Sequence, residues 1–297
     1  MIVGMKKSVL FGMAAALVLA ASCTPKVSGI RTEKYAFSDA GAHARLSIEA
    51  ELPVAATEGT AVMRQTLVDV MDRALANIGY GEEQRAFPRF GGDMGDTKAL
   101  GAYYGEQAFA DLSAKAQADV DERTSDIASN DGLTEAEREH ALAEIPGWEF
   151  DFKLKKVYET DRIAVFDAIE YIYLGGAHGG IGGDGALTFD KESGMRIRDF
   201  FVPGAAAQMQ DLLRQGLAEY FAEASDGTEY AVEDFLQLDG DLIPLPHWAP
   251  MPMEDGLVLT YQQYEIAAYA AGMPSFTLSY EEVAPYLLPE TKKDLGL

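Results

Sequence analysis

The stretch WEFDFKLKKVYETDRIAVFDAIEYIY, residues 148–173, decides the fold. Trp148, Phe150, Phe152 and Leu154 alternate with Glu149, Asp151, Lys153 and Lys155. That period of two is the mark of a strand with one face on a core and the other in water. Thr160-Asp161 supplies a turn, and Ile163, Val165, Ile169, Tyr171 and Tyr173 follow along a returning strand. A hairpin needs further strands or helices over its apolar face to be stable in water. The flanking sequence provides both.

Upstream, His43 to Leu52 alternates cleanly and Pro53 ends it, which predicts a half-buried strand. From Gly59 to Gly79, Val62, Met63, Leu67, Val70, Met71, Leu75 and Ile78 recur at helical spacing, an amphipathic helix closed by glycine. Residues 81–96 read as a loop, and Lys98 to Ala128 as a helix by propensity. Asn130-Asp131-Gly132 breaks that helix, and Thr134 with Glu137 forms a capping box for a short helix to Glu144. The ligand register of a calcium loop is missing around Asp126–Glu137. Downstream, Ala186–Phe189 and Ile197–Phe200 are strands about a turn at 191–194, and Ala206–Ala222 is an amphipathic helix. Pro244, Pro246, Pro250 and Pro252 keep 244–254 out of regular structure. Leu257–Leu259 and Ser275–Ser279 are strands, and Glu281–Leu287 is a last helix. This order predicts an α+β fold, with antiparallel sheets, helices on one face, and two closely packed sub-domains.

The N-terminus carries an address. Lys6 and Lys7 precede an apolar run from Val9 to Ala21, too short to span a bilayer comfortably and laid out like a secretory signal. It ends in Leu19-Ala20-Ala21-Ser22-Cys23, small residues before the only cysteine of the chain, and this resembles a bacterial lipoprotein signal. In such proteins the thiol is lipidated and the leader is cut before it. The plainer alternative is an ordinary signal peptide that contains a cysteine. The expected organisation is a leader over 1–22, a tether over 23–33, an N-terminal α+β domain over 34–173 and a C-terminal domain over 174–290. Localisation would then be the bacterial envelope, lipid-anchored through Cys23, with the outer membrane facing the periplasm or cell surface as the expected site.

Forty-eight acidic against 24 basic residues give a net charge of −24. Such a surface repels nucleic acid and favours cationic partners, or simply keeps the protein soluble. With Cys23 acylated no thiol remains for a disulfide, a metal site or a nucleophile. The histidines stand at 43, 140, 178 and 247, too scattered for a local metal pair. Gly-x-Ser-x-Gly, Ser-x-x-Lys, His-Glu-x-x-His and Gly-x-x-x-x-Gly-Lys motifs are absent from the sequence, and neither a cofactor nor a metal is expected.

The segment YLGGAHGGIGGDG, residues 173–185, is the most unusual. Gly175, Gly176 and Gly179 surround His178. One reading is a bulged turn in which the imidazole bonds backbone groups. The other is a histidine that faces a ligand. A site assembled from His178, Asp184 and Glu265 is a further possibility, and the tyrosines at 261, 264, 269 and 280 suit either core or ligand.

In order, Tyr173-Leu-Gly-Gly-Ala-His-Gly179, Leu187-Thr-Phe-Asp190 with Ser193-Gly194, Arg198-Asp199-Phe200-Phe201, Gly256-Leu-Val-Leu259 and Tyr264-Glu-Ile-Ala-Ala-Tyr-Ala-Ala-Gly272 resemble the RsiV-like C-terminal domain family. The resemblance covers about residues 171–288. The strand, Pro53 and following helix resemble more weakly the partner domain that precedes it. The family implies an α+β fold and an extracytoplasmic setting, in lipoproteins, in lysozyme-binding anti-sigma ectodomains, or beside polysaccharide deacetylases. Neither a deacetylase domain nor a sigma-binding segment is recognisable in this sequence. The expectation is therefore a non-enzymatic module that recognises an envelope glycan, such as peptidoglycan fragments, or a basic protein such as lysozyme. Its candidate binding or turn residues are Gly175, Gly176, His178, Asp190, Tyr264 and Tyr269. The alternative is an envelope hydrolase acting on glycan through a carboxylate pair or a His178-centred site.

The lipoprotein reading has a direct test. Cys23→Ala should release the protein from membranes or leave an uncut precursor, as read by detergent partitioning and intact mass. Partitioning like the wild type would refute it.

Overall fold

A computed structural model of the protein describes residues 29–79, 85–224, 231–238 and 240–297. The leader, Cys23 and the first residues of the expected tether lie outside the described residues.

The N-terminal half contains β1 (Thr32–Ala40), β2 (Ala44–Pro53), α1 (Glu58–Leu75), α2 (Thr97–Ser129) and α3 (Glu135–Ala143). Then come β3 (Trp148–Glu159), β4 (Ile163–Leu174), β5 (Gly180–Asp190) and the short β6 (Arg196–Ile197). The C-terminal part contains α4 (Ala205–Gln208), α5 (Gln210–Ala224), β7 (Met251–Pro252), β8 (Gly256–Thr260), β9 (Ser275–Ser279), α6 (Tyr280–Val283) and α7 (Pro289–Leu295). β1 to β6 form one six-stranded sheet in sequence order, and β7 to β9 form a second sheet. The architecture is α+β, with α1 and α2 packed over the first sheet and α5 over β9.

Local signals explain the helix ends. Thr57 caps α1 in a reciprocal pair with Thr60, and Thr134 with Glu137 does the same for α3. Asp96 accepts from the Ala99 N–H and starts α2.

Three details differ from the sequence-based expectation. The first sheet is mixed, because β2 and β3 run parallel from Ala44↔Trp148 to Ala50↔Leu154. Parallel neighbours need a long crossover, which α1, α2 and α3 supply. The described part of the 23–33 tether is docked on the sheet. Ile30 is buried, its N–H donates to Glu159 at 2.7 Å, and β1 begins at Thr32. Finally, β5 extends back to Gly180, so the glycine-rich segment is half turn and half strand.

Two apolar cores result. The first fills the space between the sheet and helices α1 and α2, around Leu46, Leu67, Tyr104, Phe150 and Phe166. It runs to Phe189, while the second begins at Phe200. Because β4 and β5 pair from Ile163↔Asp190 to Ile172↔Gly180, the sheet is continuous across residues 173 and 174. The change from one core to the next falls after β5.

Buried polar anchors tie the helices down. Arg64, 3% exposed, donates to the carbonyls of Pro53 and Met94 and to Thr97 Oγ1. Asp72, 1% exposed, accepts both arms of the Arg85 fork at 2.6 Å and the Tyr104 hydroxyl at 2.7 Å. Burial pushes this carboxyl upward, but the Arg85 fork, Tyr104 and Arg89 outweigh it and hold the group below its ordinary range. A carboxyl depressed in the folded state stabilises above its unfolded pKa, and that stability is lost as pH falls through the folded value. Asp72→Ala should therefore cost about 3–5 kcal/mol in urea unfolding at pH 7, as expected for a broken buried pair. The gap between wild type and Asp72→Asn should narrow as the pH is taken well below 4, the ordinary carboxyl range.

Candidate functional site

The site is built from the glycine-rich segment upward. β4 ends at Leu174, and Gly175 turns the chain in the left-handed region at φ 72°. The Gly175 carbonyl accepts from Arg123 at 3.1 Å, which ties the turn to α2. Gly176 is exposed, with open space around it. β5 then passes beneath an aromatic side chain. Trp248 lies against Gly185, where a Cβ would stand 2.7 Å from the indole, and its Nε1 donates to the Gly183 carbonyl at 3.0 Å. Gly183 and Gly185 sit at φ 106° and 62°, where β4 and β5 shift register between Ala168 and Glu170. The glycines therefore pave a strand for an indole. They form no phosphate cradle.

His178 is exposed. Its Nδ1 lies 3.0 Å from the Gly179 carbonyl, which can only accept, so Nδ1 carries a proton. Nε2 meets the Tyr264 hydroxyl at 3.3 Å. The Tyr269 ring stacks on the imidazole at 3.8 Å and 21°, and its hydroxyl donates to the same Gly179 carbonyl at 2.9 Å. Three candidates from distant positions thus meet. The imidazole does bond the backbone of its turn, but on the surface, not in the interior.

Tyr264 is the outlier of this trio. It is 64% exposed and holds φ 66°, the only described residue other than glycine at positive φ. A side chain there costs about 1–2 kcal/mol, and surroundings must enforce it. Here they do so on both sides. Gln263 Oε1 accepts the Ile181 N–H at 3.0 Å, clamping the loop to β5. Glu265, its side chain 3% exposed, accepts the backbone N–H of Gln262 at 2.7 Å and of His247 at 2.6 Å. Tyr261, fully buried, donates to the Pro244 carbonyl.

The remaining sequence candidates lie elsewhere. Asp190 stands at the far end of β5, where its carboxylate accepts the Ser193 N–H and hydroxyl and closes the turn to β6. Asp184 pairs with Arg73 and Arg196 and Glu265 braces two loops, so neither joins His178 in a catalytic set. No group of three or more metal-ligating side chains occurs among the described residues.

Alongside lies a feature missed at the level of sequence. A cleft of about 560 Å³ opens between β5, β6 and the proline-rich loop, walled by Asp184, Arg196, Arg198, Leu245, His247 and Trp248. The four prolines of 244–252 were its one available signal. Behind it, on the helix-facing side of β4, Glu170 is pushed up to about 7 by burial and by Asp184, against the pull of Arg73.

Residues 198–281 match the family model described as a protein of unknown function, DUF3298. Two solved proteins of the family share the fold over most of their length. One, from Pseudomonas aeruginosa, is 14% identical with a TM-score of 0.54, covering 90% of this chain and 97% of that one. The other, from Bacteroides fragilis, is 16% identical with a TM-score of 0.58, covering 89% and 96%. No curated protein matches the chain. The DUF3298 segment carries Tyr264, Tyr269 and the proline-rich loop, whereas His178 and β5 come from outside it. Both the ring trio and the cleft are therefore assembled across its boundary.

Backbone strain at Tyr264 can be measured. Tyr264→Gly and Tyr264→Ala lose the same ring, but only glycine relieves the left-handed conformation. Tyr264→Gly should be the more stable of the two by about 1 kcal/mol in urea unfolding. Equal stability would mean the loop relaxes out of that conformation.

Proposed function

We propose that this protein is a lipid-anchored module of the bacterial cell envelope that binds a glycan without transforming it. Sugar rings would lie on Tyr264 and Tyr269 beside His178. One observation carries this reading: an exposed tyrosine held at φ 66°, in a position that packing does not need. Strain kept at an exposed residue points to a ligand, since a surface tyrosine without one is readily replaced by glycine. Tyrosine also suits the task. Its rigid amphipathic ring offers apolar area to sugar C–H groups and a hydroxyl to their oxygens, at small entropic cost.

A His178-centred hydrolase is the weaker reading. Both imidazole nitrogens are already engaged, one by a carbonyl and one by a phenol, and neither by a carboxylate that would tune it as a base. A basic protein such as lysozyme is a second possible ligand, favoured by the net charge of −24. On this reading the N-terminal unit corresponds to the partner domain of RsiV-like proteins. Cys23 holds both units at the membrane, with the outer membrane, facing the periplasm or cell surface, as the proposed site. Among the described residues no helix is long and apolar enough to cross a membrane.

Calorimetric titration of the full chain with soluble peptidoglycan fragments tests the proposal. Tyr264→Ala should weaken binding by about tenfold or more, the loss of one aromatic hot-spot contact. Glycan binding should survive 1 M salt, where exposed charges interact only within about 3 Å. Binding that disappears at that salt, or is indifferent to Tyr264, would favour charge attraction to a cationic protein instead.

A further inference from the structure

Two arginines, Arg196 and Arg198, line the cleft beside the ring trio, together with Asp184 and Asp199. Arg73 and Arg196 share a single partner, Asp184, at 3.0 and 3.2 Å. Arg196 spends its other terminal nitrogen on the Ala186 carbonyl at 3.4 Å, and its Nε is buried with no hydrogen-bond partner. Arg198 is exposed on the same wall and forms no ion pair or hydrogen bond among the described residues. Elsewhere Arg45, Arg85, Arg89, Arg123 and Arg214 each sit on a carboxylate, as a strongly acidic chain readily allows. The Arg196 guanidinium is held below its ordinary range first by burial, with Arg198 and Arg73 repelling it against the pull of Asp184. Among the described residues Arg198 is thus left without a partner, on a wall where Arg196 shares Asp184 with Arg73.

The proline-rich loop adds a rigid apolar surface to the lining. Trp248 is fixed by its hydrogen bond to Gly183 and its seat on Gly185, and Leu245 stands beside it. About 560 Å³ is the size of a small-ligand site, and junctions between structural units are where such sites form. The net charge of −24 does not forbid an anion here. Charges more than about 8 Å away are largely screened at physiological ionic strength, so a bound acid group answers mainly to the near charges, Arg198 and Arg196 beside Asp184 and Asp199.

We propose that the cleft is a carboxylate-binding subsite in which Arg198 receives the acid group of an anionic sugar, with Arg196 behind it and Trp248 against the sugar's body. Arginine presents a planar fork that matches a carboxylate in two hydrogen bonds. This inference rests on the glycan reading and narrows it to acidic glycans. It uses different residues from the ring trio, so the two can fail separately.

N-acetylmuramic acid and N-acetylglucosamine serve as probes, because they differ only in the lactyl group that carries the carboxylate. Trp148 and Trp248 are the only tryptophans of the chain, so indole fluorescence reports on the cleft wall. Titrated into the full chain, the acidic sugar should bind about tenfold tighter than the neutral one, the scale of one charge-assisted hydrogen bond. Arg198→Gln should abolish that preference and leave the neutral sugar unchanged, while Arg198→Lys should retain most of it. Equal affinity for the two sugars in the wild type, or an intact preference in Arg198→Gln, overturns the proposal. Tyr264→Ala should weaken both sugars alike. If it changes neither while the Arg198-dependent preference persists, the subsite stands and the ring-platform reading falls.

Discussion

Strand β4 must be apolar on both faces where it begins and on one face only where it ends. Ile163, Ala164, Val165 and Phe166 are all 1% exposed or less, because the strand's start is covered on both sides. From Asp167 onward the cover thins, and burial becomes intermediate from Ile169 to Leu174. The neighbouring β5 follows the same gradient. Its buried half, Ala186 to Phe189, is conventional strand sequence, and its open half is mostly glycine. Everything of functional interest gathers at the open end: the turn with His178, the seat of Trp248, and the cleft lined by Asp184 and Arg196.

Rigidity at that end comes from groups that never meet a ligand. Glu265 is nearly inaccessible, yet it holds two loops by their backbone N–H groups, and Tyr264 stands between its contacts. Accepting backbone N–H bonds is a strong role for a carboxylate, because the charged acceptor forms short bonds in a site that water barely reaches. The exposed rings are therefore presented by buried chemistry. Preorganisation of this kind reduces the entropy lost when a ligand binds.

The parts legible in the sequence were those encoded locally. The 148–173 hairpin, the three helices between Glu58 and Ala143, and the capping pair Thr134 and Glu137 all follow from spacing within a few residues. β1 escaped notice because an edge strand exposed along most of its length needs no apolar alternation. The first half of β5 reads in sequence as a turn, because glycine leaves no side-chain pattern to announce a strand. The parallel pairing of β2 with β3 joins segments separated by all of α1 to α3, which no local pattern reveals. His178, Tyr264 and Tyr269 were legible as candidates from composition and resemblance, but their stacking was not. Nothing in the sequence marks Arg198, His247 and Trp248 as residues of one site, because the cleft exists only after three distant segments have packed.

The parallel seam between β2 and β3 also gives the chain an assembly order. The β1–β2 and β3–β4 hairpins close through short turns, so the entropy spent on joining their ends is small. Uniting those hairpins into one sheet requires Ala44 to reach Trp148, across a crossover containing all of α1, α2 and α3. Non-local pairings of this kind slow folding, since the chain orders a long loop before the contacts reward it. Until the seam forms, the β2 and β3 edges that will meet there stand unpaired, each alternating apolar and charged side chains. Lys153 and Lys155 on β3, and Arg45, Glu49 and Glu51 on β2, place charge along those edges. Charged side chains on an open edge discourage pairing with a second chain. The residues that line the finished sheet's solvent face thus guard the unfinished one.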